Sequence, residues 1–406
     1  MISYELNKGS HYLVAVSFGP DSMALLDMLR KDKVRISVAH VNYHRRPESD
    51  LEQTGLEQYC LEGDIPLYVL NIPKQEVSGN FQAWAREVRY RFFNEISKEI
   101  QADAVLTAHQ LDDHLETALM QQKRKTMALC MGICSETTID GLKVIRPLLH
   151  LRKAELLEYC QINGVPYAID SSNLSDHYER NRVRHHVLAK LGQHDVQKLI
   201  AHIDSYNDRI RMLLETHNDI AHEKKILVSL VIACDDVELF VMLHLLISAD
   251  CPSCPISKVL RDEVRQIAKN PAPYWRRHLR GKLWLARNYE WLEIVKEDAA
   301  KPYSFTYDHP SAADTPYFYM DFRNGSHRQL VLEQHYPITV RSPLPEDTIT
   351  INGTNRALRR LFIDWKLPRH RRLSWPVVLD KNGVIIFVPR YQKDFVPDAS
   401  SRFYAK

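Results

Sequence analysis

The sequence predicts an α/β protein: a parallel sheet with helices on both faces, followed by a helical middle domain and a small α+β C-terminal domain. Three patterns point there. Short apolar runs alternate with helix-length segments as far as Ala108, a mainly helical stretch follows from about residue 191, and β-runs separated by turn residues restart near Tyr336. Strands alternating with helices of this length build a parallel sheet covered on both faces. The domains expected are 1–190, 191–330 and 331–406, which suits a chain of 406 residues, too long for one ordinary core.

In chain order, strands are expected at Tyr12–Ser17, Arg35–Asn42, Leu67–Asn71 and Asp103–Ala108, with helices at Ser22–Arg30, Asp50–Glu62 and Asn80–Ile100. The last helix is the clearest. Phe81, Trp84, Ala85, Val88, Phe92 and Ile96 fall on one stripe at helical spacing, which leaves Arg86, Arg89 and Tyr90 on other faces. From Asn173 to Leu188 the chain reads "NLSDHYERNRVRHHVL", polar and rich in Arg and His. Helical spacing then runs to about Ile267, and "GKLWLARNYEWLEIV" reads as a hairpin with Arg287-Asn288 near its turn. "TNRALRRLFIDWKLP" predicts a short helix stopped by Pro368, with Leu358, Leu361, Phe362 and Trp365 as its apolar face. "WPVVLDKNGVIIFVP" predicts a hairpin turning at Asn382-Gly383.

An apolar fraction of 45% and a charged fraction of 26% are those of a soluble globular protein. No apolar run approaches the roughly 20 residues of a membrane helix, and the opening "MISYELNKGSH" lacks a secretory layout. A cytoplasmic location and no membrane partner are therefore expected. Seven scattered cysteines argue against a disulfide framework. Cys130 with Cys134, and Cys251 with Cys254 in "CPSC", lie close, but no second CxxC completes four zinc ligands, so plain thiols are expected. Charge is uneven: residues 341–406 carry 13 Lys/Arg against 6 Asp/Glu, so +7, and the first 340 residues sum to −4 within the total of +3. A basic tail domain suggests a polyanionic partner.

The chemistry-bearing stretch is "YLVAVSFGPDSMALLDML". A glycine-containing loop that opens a helix offers backbone N–H groups and a positive dipole end to phosphate. Ser17 and Ser22 can add hydroxyls. Asp21 would repel phosphate unless a cation lies between, which points to pyrophosphate bound through Mg²⁺. The absence of a Gly-Lys-Ser/Thr ending excludes a Walker A loop.

"SFGPDS" is similar to the SGGxDS loop of the N-type ATP pyrophosphatases, the PP-loop family. "TAHQLDDHLET" resembles the AHHxDDxxET segment of the tRNA(Ile)-lysidine synthetases, as do "VAHVNYHRRPESD", "GNFQAWAREVRYRFF", "IRPLL", "DSSN" and "RNRVRHHVL" in that family's order. "RALRRLFIDWKLPRHRRLSWPVV" resembles its basic terminal domain. The resemblance implies a Rossmann-like PP-loop domain that binds ATP and Mg²⁺. It places ATP on Ser17, Phe18, Gly19, Pro20, Asp21, Ser22 and His109, and the metal on Asp21 and Asp113. It also implies a homodimer. The chain departs from the pattern at Phe18, where the family usually has glycine, so that side chain must point away from the nucleotide or the loop has shifted. Tyr43 and Gln110 stand for histidines, and "QQKRKTMALCMGI" lacks the glycine-rich turn.

The implied reaction adenylates C2–O of the wobble cytidine of an isoleucine tRNA, after which the amine of L-lysine displaces AMP. Asp112, Asp113 and Glu116, spaced to share a helix face, could hold Mg²⁺ or the lysine ammonium and accept its proton. Arg86 and Arg89 could offset phosphate charge. His40, Asn42, Arg180, Asn181 and Arg184 form an expected RNA-facing rim, with His185 and His186 beside them. A basic C-terminal helix bearing Arg356, Arg359, Arg360, Lys366, Arg369, Arg371 and Arg372 fits tRNA phosphates. Two alternatives stand beside this reading: a PP-loop tRNA thiolase using Cys130 and Cys134, and a non-catalytic RNA-binding protein that retains an ATP loop.

Overall fold

A computed structural model describes residues 6–7, 9–73, 79–169, 182–183, 186–296, 302–323, 333–391 and 402–406. It divides into two compact units, 1–212 and 213–406.

The first unit alternates strand and helix as expected: β1 (His11–Ala15), α1 (Pro20–Lys31), β2 (Arg35–Asn42), α2 (Glu48–Glu62), β3 (Leu67–Asn71), α3 (Phe81–Glu99), β4 (Ala104–Thr107) and α4 (Leu111–Lys123). Then come β5 (Glu136–Ile139), β6 (Leu142–Ile145), α5 (Lys153–Asn163) and α6 (Gln193–Thr216), the last crossing the unit boundary. The six strands lie in the order β3-β2-β1-β4-β6-β5. All neighbours are parallel except β5, an antiparallel edge strand on β6. The side-chain alternation of β1 shows both faces covered. Tyr12, Val14 and Val16 enter a cluster with residues of α1, α2 and α5, whereas Leu13 joins Phe92, Phe93 and Ile96 of α3. α3 starts where its N-cap predicts, the Asn80 side chain accepting the Gln82 N–H at 3.0 Å.

The second unit opens with α7 (Asn218–Glu223), β7 (Lys225–Leu227), α8 (Val228–Ala233), α9 (Asp236–Ser248) and α10 (Lys258–Lys269). An antiparallel sheet follows, formed by β7 with β8 (Tyr274–Arg280), β9 (Leu283–Asn288) and β10 (Trp291–Lys296), in the order β7-β10-β9-β8. β9 and β10 are the expected hairpin; β8 was not foreseen because "YWRRHLR" is basic rather than apolar. Its arginine finds an aromatic face instead, Arg276 lying 4.3 Å over Trp284.

Three further strands, β11 (Ser304–Tyr307), β12 (Ala312–Asp314) and β13 (Phe318–Asp321), precede β14 (Ile338–Arg341), β15 (Thr348–Ile351) and β16 (Thr354–Ala357). The chain closes with α11 (Leu358–Asp364), β17 (Val377–Leu379), β18 (Ile385–Phe387) and β19 (Phe403–Ala405). β11 pairs with β14 and β13 with β19, so pairings cross the boundary expected between 330 and 331. The β17–β18 hairpin turns at Asn382-Gly383, where Gly383 takes φ +77°.

Two expectations are corrected. The helix expected over "TNRALRRLFIDWKLP" is half strand: Thr354–Ala357 pairs with β15, and only Leu358–Asp364 is helical. Cys251 and Cys254 are joined by a disulfide instead of being thiols. The turn closed by the Cys254 N–H on the Cys251 carbonyl brings their Cα atoms to 5.4 Å, within bridging range.

Candidate active site

The site grows from the loop between β1 and α1. Phe18 sits at φ +63°, a left-handed conformation that suits glycine and costs a residue with a Cβ about 1–2 kcal/mol. That backbone turns its ring into the core, where it is 8% exposed and lies against α2. The fit is close: a Cβ on Gly55 would stand 2.6 Å from Phe18 Cζ. Of the two outcomes that Phe18 left open, the structure has the first: its side chain points away from the cavity. Its carbonyl accepts the Ala168 N–H at 2.9 Å. Gly19 is the N-cap of α1 and Pro20 stands in the first turn, where its missing N–H costs nothing. The Ser22 hydroxyl accepts the Ser17 N–H at 3.2 Å and donates to the Gly19 carbonyl at 3.0 Å, which holds the loop in shape.

Ser17, Gly19, Pro20, Asp21 and Ser22 line a cavity of about 550 Å³. It lies at the carboxyl ends of β1, β2 and β4, where parallel α/β sheets bind ligands. His40, Asn42, Arg86, Arg89, His109 and Asp113 line the same cavity, so most of the expected first-unit residues converge. His40 is 5% exposed and donates Nδ1–H to the Val16 carbonyl at 2.9 Å. Burial holds its pKa below the usual histidine range, leaving a neutral ring with Nε2 as acceptor. Asn42 is committed to the loop before α2: it donates to Asp50 at 3.0 Å and Gln53 at 2.9 Å, and accepts the His44 N–H at 2.8 Å. The Arg86 guanidinium lies 4.7 Å over the Tyr90 ring, and Arg89 Nε donates to the Ala85 carbonyl at 3.3 Å.

The departures at Tyr43 and Gln110 have structural roles. Tyr43 donates to the Ala85 carbonyl at 2.8 Å and packs edge-on against Phe81 at 5.6 Å, fixing the start of α3 beside the cavity. Gln110 caps α4 by accepting the Asp112 N–H.

The three acidic residues of α4 separate. Asp113 reaches the cavity while its carboxylate accepts the Gln110 N–H at 3.3 Å. Asp112 turns away: it accepts the Lys153 N–H at 2.7 Å and pairs with Arg152 at 2.7 Å, tying α4 to the start of α5. Glu116 is fully buried and does not line the cavity. Asp112→Asn should therefore cost about 1–2 kcal/mol of stability in urea unfolding, because a charged helix-end acceptor and an ion-pair partner weaken together.

Among the described residues no group of three or more His, Cys, Asp or Glu is placed to enclose a metal. Asp21 and Asp113 nevertheless fit Mg²⁺, which takes one or two carboxylates and completes its octahedron with phosphate oxygens and water. The cavity also holds cations that the motifs did not single out. Arg46 donates from Nη2 to both Glu52 carboxylate oxygens at 2.9 and 3.0 Å, Arg45 lies 4.1 Å over Phe81, and Lys153 stands at the first position of α5. A lysine at a helix N-terminus opposes the dipole, and that placement was the available clue.

The basic C-terminal residues occupy three different settings. Arg356 is exposed on β16, and Arg359 and Arg360 are exposed on α11. Arg369 lies 4.8 Å over Tyr274. Arg371 donates to the Lys406 carbonyl at 3.3 Å, and burial lowers its pKa. Arg372 is committed inward, to the Leu367 carbonyl at 3.0 Å and the Tyr289 hydroxyl at 2.8 Å. Arg180, Asn181, Arg184 and the "DSSN" motif lie outside the described residues.

Comparison with known proteins agrees with this geometry. A family model for the PP-loop domain matches residues 2–191, and one for the TilS substrate C-terminal domain matches 338–399. A tRNA(Ile)-lysidine synthase of Mycoplasma mycoides is 28% identical over 403 residues, covering 95% of this chain and 98% of that protein. One of Malacoplasma penetrans is 38% identical over 201 residues, covering 48% of this chain and 67% of that one. A solved U34-tRNA thiolase of Methanococcus maripaludis is 15% identical with a TM-score of 0.41, covering 50% of this chain and 73% of that one, too slight a likeness to bear on function.

Proposed function

The chain belongs to the tRNA(Ile)-lysidine synthase family of tRNA-modifying PP-loop ATPases, and on that premise we propose that it joins L-lysine to C2 of a wobble cytidine in an isoleucine tRNA. The observation that carries this reading is the convergence of Asp21, Asp113, Arg86 and Arg89 with the N-terminus of α1 on one cavity.

The chemistry has two displacements. The cytidine O2 attacks the α-phosphorus of ATP, an O–P bond forms, and pyrophosphate leaves. The lysine amine then attacks C2, the C2–O bond breaks, and AMP departs. Arg86 and Arg89 supply fixed positive charge for the phosphates, and guanidinium geometry suits phosphate oxygens. The N-terminus of α1 adds its dipole end. Mg²⁺ held by Asp21 and Asp113 would neutralise triphosphate charge. Asp113 is also placed to accept the proton that the amine sheds on attack. Glu116, one turn further along α4, is enclosed away from the cavity. Among the described residues no cysteine lines the cavity, which weighs against sulfur transfer there. Labelled lysine, ATP and a cytidine-bearing isoleucine tRNA test the reading with the full chain. Lysine must enter tRNA while AMP and pyrophosphate appear; pyrophosphate without lysine incorporation refutes it.

Arg356, Arg359, Arg360 and Arg369 serve as phosphate contacts for tRNA in this reading, while Arg371 and Arg372 hold the C-terminal fold to the β9–β10 hairpin. Arg359→Ala or Arg360→Ala should weaken tRNA binding for every sequence alike and reduce the slope of log K against log salt by about 1 each. Filter binding across a salt series measures this, and an unchanged slope removes that residue from the interface.

A further inference from the structure

Between α4 and β5 the loop holds Cys130 and Cys134, two partly buried thiols outside the cavity. The loop is fixed on several sides. Asn207 accepts the Met131 N–H at 2.7 Å, Gln121 accepts the Gly132 N–H at 2.7 Å, and the Gln121 amide donates to the Cys130 carbonyl at 3.2 Å. Beneath it lies Arg146, only 6% exposed. Its guanidinium donates to the Cys134 carbonyl at 2.8 Å and to Thr137 Oγ1 at 3.1 Å, while Nε has no hydrogen-bond partner. No carboxylate among the described residues pairs with it. A buried guanidinium without a counter-anion is costly, and its charge favours an anion at Cys134 in the loop above it.

We propose that Cys134 supplies that anion as a thiolate and, with Cys130, forms a reversible thiol–disulfide site. The Cys130 thiol lies 3.8 Å from the Met131 carbonyl and within interaction range of the Cys134 sulfur, and the Arg146 charge bears on both. These two influences pull the Cys134 thiol down, to about 7, and the neighbouring Cys134 sulfur pushes Cys130 up. His114, whose Nδ1 lies 3.0 Å from the Ile133 carbonyl, and Tyr206, whose hydroxyl donates to the Ala128 carbonyl at 2.9 Å, are further titratable groups against the loop, and burial keeps His114 neutral.

The co-reactant is a low-molecular-weight disulfide such as oxidised glutathione. The Cys134 thiolate attacks one of its sulfurs, forms a mixed disulfide and expels one thiolate. Cys130 then loses its proton, attacks the Cys134 sulfur and expels the second. The protein loses two hydrogens and the small disulfide is reduced to two thiols.

The test uses the full chain in two steps. Alkylation of Cys134 followed against pH by peptide mapping should have a midpoint at least one unit below the ordinary thiol value of about 8.5, and Arg146→Gln should raise that midpoint by roughly one unit. Oxidised glutathione should yield an intramolecular Cys130–Cys134 bridge reversible by dithiothreitol, whereas Cys130→Ser should stop at the mixed disulfide on Cys134. A wild-type midpoint at the ordinary value, or a mixed disulfide that Cys130 does not resolve, overturns the proposal. Both readouts come from the wild-type chain, so they decide the matter even if Arg146→Gln fails to fold.

Discussion

Asp21→Asn should lower tRNA-dependent pyrophosphate release at saturating Mg²⁺ by roughly 100-fold, equivalent to about 2.7 kcal/mol of transition-state stabilisation. The sign of the effect without metal makes the test specific. A carboxylate in the first turn of α1, on the wall of the cavity, repels a bare triphosphate. Removing its charge should therefore leave metal-free ATP binding unchanged or slightly tighter, while Mg·ATP binding and turnover fall. Isothermal titration with and without Mg²⁺ separates the two cases. An equal loss of ATP affinity in both would mean that Asp21 touches the nucleotide or the loop directly, and the metal role would be withdrawn. The fold should survive, because an acidic residue in the first turn of a helix contributes only about 0.3–1 kcal/mol through the dipole.

The first unit was legible in the sequence because its elements carry their own signals. The strands are short apolar runs, α3 has an Asn cap and a clean stripe, and the sheet follows from their alternation. Where burial is one-sided or absent, the signal fails. β16 is exposed along its whole length and follows no apolar pattern, and β8 lays Arg276 over the Trp284 ring. The site shows the same division. That Ser17, Asp21, Arg86, Arg89 and Asp113 would meet was readable, since all lie near strand ends. Which of Asp112 and Asp113 faces the cavity was not. Their directions are set by α5, whose Lys153 N–H binds Asp112 across 41 residues of sequence. A long-range contact at a helix start leaves no local trace.

Phe18 is where sequence and backbone disagree most, and it yields the largest expected effect on stability. Phe18→Ala should cost about 3–4 kcal/mol, since the ring is buried against α1 and α2 and little can fill the space. Phe18→Gly should be less damaging by about 1–2 kcal/mol, because glycine relieves the left-handed strain that alanine keeps. Gly55 is the complementary half of this arrangement. Gly55→Ala in the wild-type chain would place a methyl group 2.6 Å from Phe18 Cζ, an overpacking worth about 1–3 kcal/mol. In the Phe18→Gly background the same substitution meets a void, and helix propensity then favours alanine by roughly 0.8–1 kcal/mol. The double-mutant cycle should thus show Gly55→Ala changing sign, from destabilising to stabilising, with a coupling of at least 1 kcal/mol. ATP binding should persist throughout, because the ring points away from the cavity. Additive effects in urea unfolding, or ATP affinity lost with the ring while the fold is retained, would show that Phe18 faces the nucleotide after all.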